Sequence, residues 1–386
     1  MNKRWDIFCR VVDNFGDAGV CWRLARQLAN EFALDVRLWI DDLSALKKIH
    51  PEIDSAQVQQ ICSGVIVCRW EQPLPPALMA ADVVIEAFAC DVPEEYRAAM
   101  RARHSLWINL EYLSAEDWVS GCHGLPSQVD SALKKYFFFP GFRADTGGVL
   151  GERDLLERRS VFQADAPRPS GTNNAHVFFR RFGVVPAPAA LQVSLFAYSY
   201  APIQALLAVW CAQSHPITCW VPEGQPLAAV SRFFGEELSI GAIRTRGALT
   251  IVVLPFLSQD DYDLLLWSCD LNFVRGEDSF VRAQWAARPF VWQIYAQEEG
   301  AHWSKLDAFM TMYNEGVSAE SAAALRNFWR AWNGEGAIES KDGAAMWSAY
   351  LNALPELRAA ANRWADRLGS GTNLAAALVQ FCANQV

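Results

Sequence analysis

Short apolar runs alternate with helical patterns along this chain, stop, and then alternate again; no other feature limits the possible folds as tightly. In the first stretch the runs 5–12, 36–40, 65–70, 83–88 and 106–110 read as strands, while 17–32 and 93–103 carry helical periodicity. Strands of this kind, separated by helices, imply a parallel sheet covered on both faces. Between about 141 and 188 the texture changes to Gly147-Gly148, the proline-rich 166–171 and the run 184–188, which marks a crossing between domains. Strand-like runs then resume at 193–198, 217–221, 249–254, 271–274 and 289–294, with helices over 203–212, from 260 and from about 279. The end of the chain, 357–368 and 373–381, is helical in pattern.

The expected architecture is α/β, with two Rossmann-like domains facing each other. Residues 1–185 form the first, its part from about 141 an irregular crossing, and 186–365 the second, with a C-terminal helix at 366–386 that can pack back on the first. Such halves make a cleft lined by the carboxyl ends of both sheets.

At 386 residues the chain exceeds one typical core, and 52% hydrophobic residues imply a packed interior. A net charge of −9 argues against a nucleic-acid-binding surface and tolerates cationic partners better. No apolar run approaches the length that spans a bilayer, and the start lacks the apolar segment of a signal peptide, so a cytoplasmic protein without a membrane partner is expected. The ten cysteines include no Cys-x-x-Cys and read as small buried hydrophobes in a reducing compartment. The six histidines are dispersed, so no structural zinc is expected.

The connection from the first strand to the first helix reads Asp13-Asn14-Phe15-Gly16-Asp17-Ala18-Gly19-Val20. Unpaired N–H groups at a helix N-terminus ordinarily favour anions. Here the chain supplies two carboxylates. Asp17 has an ordinary reading as N-cap of the helix through Val20, Trp22, Leu24 and Leu28. Asp13, four residues earlier at the strand's end with Gly16 in between, is harder to explain as a cap. The pair can poise a nucleophile, orient a cationic substrate or bind a metal.

In the second half, Ser258 is placed to cap a helix whose first turn holds Asp260 and Asp261. Asp261-Tyr262-Asp263 matches a metal-binding Asp-x-Asp pattern, yet residues two apart on a helix diverge, and capping accounts for the acids. The unit Leu271 to Phe280 repeats the order strand, glycine turn, helix. Backbone N–H groups around Asp278 and Ser279, the Ser279 hydroxyl and Arg275 can hold a diphosphate, with the Glu277 and Asp278 side chains facing elsewhere or binding hydroxyls. The competing reading is a capped helix with Arg275 paired to its acidic neighbours. Phe196 and Tyr198 alternate on a strand end, either as core or as a platform for a base.

Taken together, Asp13 to Asp17, Asn109-Leu110-Glu111-Tyr112-Leu113-Ser114, Phe196-Ala197-Tyr198, Leu254-Pro255-Phe256 with Gln259 and Tyr262-Asp263, Arg275-Gly276-Glu277-Asp278-Ser279 and Gln293-Ile294-Tyr295 resemble the EarP family over nearly the whole chain. Its members are protein-arginine rhamnosyltransferases that modify bacterial elongation factor P. The resemblance implies a GT-B fold, dTDP-β-L-rhamnose as donor, one arginine of elongation factor P as acceptor, and no metal or other cofactor. It further implies inversion at the sugar carbon and activation of the factor for polyproline-stalled ribosomes. Carried over, Asp13 and Asp17 are the catalytic acids and Glu277 supports them from across the cleft. Donor contacts fall to Asn14, Phe15, Gly16, Phe196, Tyr198, Phe256, Gln259, Arg275, Asp278, Ser279 and Tyr295, with aromatic rings near thymine and polar groups near ribose and diphosphate. Ala296 stands where the family pattern has proline. Two other readings share part of this pattern: a GT-B enzyme with another nucleotide sugar and a small acceptor, and a non-catalytic binder of elongation factor P.

Overall fold

Two separate sheets absorb the strand-like runs. The computed structural model describes residues 3–385 apart from 14, 72, 75–77, 130–132, 165–172, 188, 337 and 339–341. The first sheet contains β1 (Arg4–Cys9), β2 (Asp35–Ile40), β3 (Gln59–Cys62), β4 (Val65–Arg69), β5 (Val83–Ala87), β6 (Leu106–Leu110), β7 (Pro126–Gln128) and β8 (Lys134–Phe138). Their spatial order is β3-β4-β2-β1-β5-β6-β8-β7. All neighbours are parallel except the edge pairs β3/β4 and β7/β8. From β1 the chain builds outward through β2 on one side and, later, through β5 on the other. The sheet therefore has its topological switch point between β1 and β5, where open α/β sheets bind ligands.

Four helices follow these strands: α1 (Gly16–Phe32), α2 (Leu43–Ile49), α3 (Glu94–Arg103) and α4 (Trp118–Cys122). The core packs Phe8, Trp39, Trp70, Tyr96 and Trp107 together. Asp6 is fully buried within it because its carboxylate is matched: Arg37 donates to both oxygens at 2.7 and 2.6 Å, and Trp39 Nε1 donates at 3.0 Å. A buried charge persists only when partnered in this way.

The second sheet contains β9 (Leu191–Leu195), β10 (Ile217–Pro222), β11 (Ile243–Arg246), β12 (Leu249–Leu254), β13 (Leu271–Arg275) and β14 (Phe290–Gln293), in the order β11-β12-β10-β9-β13-β14. Only β11 is antiparallel to its neighbour. Its switch point lies between β9 and β13, the counterpart of β1 and β5. The remaining helices are α5 (Leu155–Gln163), α6 (Asn174–Arg180), α7 (Ile203–Cys211), α8 (Pro226–Phe234), α9 (Gln259–Ser268), α10 (Asp278–Trp285), α11 (His302–Tyr313), α12 (Ala319–Trp332), α13 (Gly343–Ser370) and α14 (Leu374–Asn384). Aromatic rings dominate this core: Phe280 stacks on Trp292 at 3.7 Å, and Phe273 meets Trp332 edge-on at 4.9 Å. No helix among the described residues is long and apolar enough to cross a membrane.

Contacts divide the chain at Arg153/Asp154, not at 185, so residues 154–185 cluster with the second unit. The reason is specific. Arg159 donates to the Trp285 carbonyl at 2.9 Å, Gln163 donates to that of Ala286 at 3.0 Å, and Phe162 packs on Trp267. The proline-rich 166–171 lies outside the described residues. Leu368–Val386 cluster with the first unit, where Gln27 Nε2 donates to Asn373 Oδ1 at 3.3 Å and Val149 bridges Asn373.

Candidate active site

In the first unit the chain leaves β1 at Cys9, and its carboxyl end points residues 10–13 toward the switch point before α1 begins at Gly16. Gly16 N–H closes the turn onto the Asp13 carbonyl at 2.7 Å. Phe15 occupies the N-cap position of α1 and makes no side-chain cap. The capping reading of Asp17 is therefore corrected: Asp17 lies inside the first turn, and its Oδ2 reaches backward to accept from the N–H groups of Val12 and Asp13, both at 2.9 Å. Its other oxygen, Oδ1, accepts from the Tyr112 hydroxyl at 2.9 Å. Asp17 is 1% exposed and Asp13 7%. Two carboxylates thus sit buried on one short turn, one of them held from three directions. Asn14 lies outside the described residues.

Tyr112 follows β6, and its ring stacks face to face on Phe88, which follows β5, at 4.1 Å and 5°. Phe88, Ala89 and Asp91 all take positive φ, between 53° and 61°. Each such residue costs on the order of 1–3 kcal/mol, so the segment is held by its surroundings. Part of that hold is visible: Ala89 N–H donates to Asn109 Oδ1 at 3.1 Å and Asp91 N–H to Glu86 Oε1 at 2.9 Å. The strained loop buttresses Tyr112, which orients Asp17. Sequence reasoning placed Tyr112 in a motif without a role and passed over Phe88; the signal was that both lie just past strand ends.

In the second unit the β13–α10 connection carries the other candidates. Arg275, the last residue of β13, is 4% exposed and places its guanidinium carbon 4.6 Å from the Phe196 ring centre and 4.5 Å from that of Tyr198. Phe196 and Tyr198 leave β9 next door, so the switch point explains why two aromatic rings and one arginine converge. Tyr295, after β14, meets Tyr198 edge-on at 5.8 Å. Gln293 fixes the Tyr198 backbone, accepting from its N–H at 2.8 Å.

Gly276 adopts φ 62°, a left-handed conformation suited to glycine, and its carbonyl accepts from Trp292 Nε1 at 3.0 Å. Ser279 does not present its hydroxyl outward: it accepts from Arg275 N–H at 3.1 Å and donates to the Arg275 carbonyl, cinching the turn. Asp278 accepts from Gln259 Nε2 at 3.2 Å, joining the α10 and α9 starts. Phe256 is half-buried in the β12–α9 connection. Glu277 is buried with Lys305 Nζ 3.6 Å from its carboxylate. Lys305, on α11, escaped sequence reasoning because nothing local marks it.

Ser258 caps α9 as expected, accepting from Asp261 N–H at 3.2 Å. The Asp-x-Asp pair is spoken for: Arg181 grips Asp261 at 2.7 and 2.9 Å, and Arg282 grips Asp263 at 2.9 and 2.5 Å.

The family model described as "Elongation-Factor P (EF-P) rhamnosyltransferase EarP" matches residues 5–383. A protein-arginine rhamnosyltransferase from Pseudomonas putida is 50% identical over the whole of both chains. One from Pseudomonas aeruginosa is 50% identical over 98% of this chain and 99% of its own. A solved structure concerned with EarP-mediated arginine glycosylation of translation elongation factor EF-P is 37% identical, covers both chains completely and superposes with a TM-score of 0.70. The chain belongs to the EarP family of protein-arginine rhamnosyltransferases, glycosyltransferases with two α/β units of the GT-B type.

Proposed function

We propose that this enzyme moves L-rhamnose from dTDP-β-L-rhamnose to one arginine side chain of translation elongation factor P. On this reading the anomeric carbon inverts, no metal takes part in transfer, and the modified factor becomes active on polyproline-stalled ribosomes. The observation that carries the reading is the pair of buried carboxylates, Asp13 and Asp17, on a turn where an anion would ordinarily bind. The family's description and the name of the related solved structure support the acceptor.

A guanidinium has a pKa above about 12, and its charge is delocalised, so unassisted it is a poor nucleophile. Asp13 orients the planar fork by charge-assisted hydrogen bonds. Asp17 takes the proton as an arginine nitrogen bonds to the sugar carbon, its direction fixed by Tyr112. The bond from that carbon to the diphosphate oxygen breaks, and its electron pair leaves with dTDP. Arg275 and the α10 N-terminus at Asp278 and Ser279 stabilise that charge. The rings of Phe196, Tyr198, Phe256 and Tyr295 serve thymine, while Gln259 and Asp278 serve ribose. Asn14, Phe15 and Gly16 are assigned to the donor by the family resemblance, and Glu277 supports the transfer.

The metal-free reading is supported by Asp261 and Asp263, whose oxygens are committed to arginines. A cytoplasmic setting is supported by ten cysteines that all remain free thiols. A thermal-shift panel separates this donor from others: dTDP raises the melting temperature more than UDP or GDP. Equal or larger shifts with another nucleotide would overturn the donor assignment.

A further inference from the structure

Away from both turns, three side chains of different chemistry converge where α2 ends and the β3–β4 hairpin begins. His50 follows α2, Glu52 lies two residues on, and Cys62 closes β3. His50 Nε2 is 3.6 Å from Glu52 Oε2, and Cys62 Sγ is 3.8 Å from that same oxygen. All three ligand atoms lie within 4.8 Å of one another. Ser63 Oγ stands 3.4 Å from His50 Nε2 and 4.0 Å from Cys62 Sγ. The imidazole is steadied by the Trp22 ring at 4.9 Å.

Ligands of a tetrahedral zinc ion, at roughly 2.0–2.3 Å from the metal, stand roughly 3.3–3.6 Å from each other. The cluster is a few tenths of an ångström from that spacing along its two shorter edges. We propose that His50, Glu52 and Cys62 form a zinc site, with water beside Ser63 in the fourth position. Thiolate, carboxylate and neutral imidazole together balance the ion's charge. The nitrogen and sulfur donors select zinc-like ions over magnesium and calcium, which take oxygen ligands. On binding, the S–H proton of Cys62, donated to Glu52 in the metal-free arrangement, is released to solvent and the sulfur bonds the ion. The ion clasps the hairpin to the end of α2, and because it binds the folded chain it stabilises the first unit. The site is independent of the transfer mechanism above. Sequence spacing concealed it, since one ligand, His50, comes from a helix end and another, Cys62, from a hairpin twelve residues further along.

Cobalt titration of the full-length protein, under reduction by a phosphine, tests the proposal. Near one equivalent of cobalt a thiolate-to-cobalt charge-transfer band appears in the near ultraviolet, zinc abolishes it, and excess magnesium does not. Cys62→Ser loses the band, and zinc raises the melting temperature of the parent protein but not of this variant. Glu52→Gln, at an exposed position that tolerates substitution, keeps the band and binds cobalt about tenfold more weakly. Absence of the band in folded parent protein, or an undiminished band in Cys62→Ser, overturns the site. Unchanged affinity in Glu52→Gln removes Glu52 as a ligand and overturns the proposal as stated.

Discussion

The Tyr112 hydroxyl donates to Asp17 Oδ1 at 2.9 Å while Phe88 covers the tyrosine ring at 4.1 Å, so a residue just past β6 fixes the direction of a carboxylate on the turn after β1. Hydrogen bonds to charged groups are worth about 1.5–3 kcal/mol. Tyr112→Phe keeps the ring and its stacking and removes only the donor. The variant should lose roughly tenfold or more in kcat, with KM for the nucleotide sugar unchanged and dTDP binding intact. An unaltered kcat would show that Asp17 needs no orientation from Tyr112.

Asp13→Asn and Asp17→Asn should remain folded. In Asp17→Asn the amide oxygen can still accept from the Val12 and Asp13 N–H groups, with its NH2 turned to the Tyr112 oxygen, which can accept. Both variants should show a dTDP thermal shift like the parent's and lose about 10²–10⁴-fold in transfer rate. Full activity in either removes that carboxylate from the mechanism.

Arg275 lies between two rings and at the turn assigned to the diphosphate. Arg275→Ala should raise KM for the donor about tenfold or more and lower kcat, since a cation–π contact and a charge-assisted bond are lost together. Arg275→Lys should recover part of the charge but not the planar stacking. Isothermal titration with dTDP alongside steady-state rates separates binding from leaving-group stabilisation.

The Asp263–Arg282 pair links α9 to α10 and is almost wholly buried, at 2% and 1% side-chain exposure. Removing one partner strands a buried charge, at about 3–5 kcal/mol. Asp263→Ala should shift the urea midpoint strongly, while chelator treatment of the parent leaves the transfer rate unchanged. Loss of activity on chelation of Cys62→Ser, which lacks the other candidate metal site, restored by a divalent ion, would return this acidic pair to a metal role.

Glu356 accepts from the Ser318 N–H at 2.7 Å and from its hydroxyl at 2.6 Å, which lowers its pKa to about 2. A carboxyl lowered on folding stabilises above its ordinary value near 4.3 and loses that contribution as pH falls toward 2. Between pH 4.5 and 2, Glu356→Gln should therefore lose stability less steeply than the parent, as followed by thermal melts across that range. Parallel curves would show that the contact contributes nothing.

The central parallel strands were legible because they are largely apolar runs buried on both faces, such as Val36 to Ile40 and Val83 to Ala87. The edge strand β3 and the next-to-edge strand β8 were not: β3 reads Gln-Gln-Ile-Cys with Ile61 exposed, and β8 opens on two lysines. The unit boundary slipped because α5 is tied to the second unit largely through Arg159 and Gln163 reaching backbone carbonyls, which leaves no apolar periodicity to read. At the site, Asp13, Asp17 and Arg275 stood out as charges at strand ends. Tyr112 lies 95 residues from Asp17, and Lys305 comes from α11, so their proximity belongs to strand order and helix packing, which single-residue chemistry does not encode. Asp17 itself was readable as a cap only because helix starts are ambiguous by a residue or two.

Intact-mass measurement of elongation factor P after incubation with this enzyme and dTDP-β-L-rhamnose tests the account most directly. A gain of one deoxyhexose residue on a single arginine, absent when Asp13→Asn replaces the parent enzyme, is the predicted result. An unchanged mass with both proteins folded and the donor intact would contradict it.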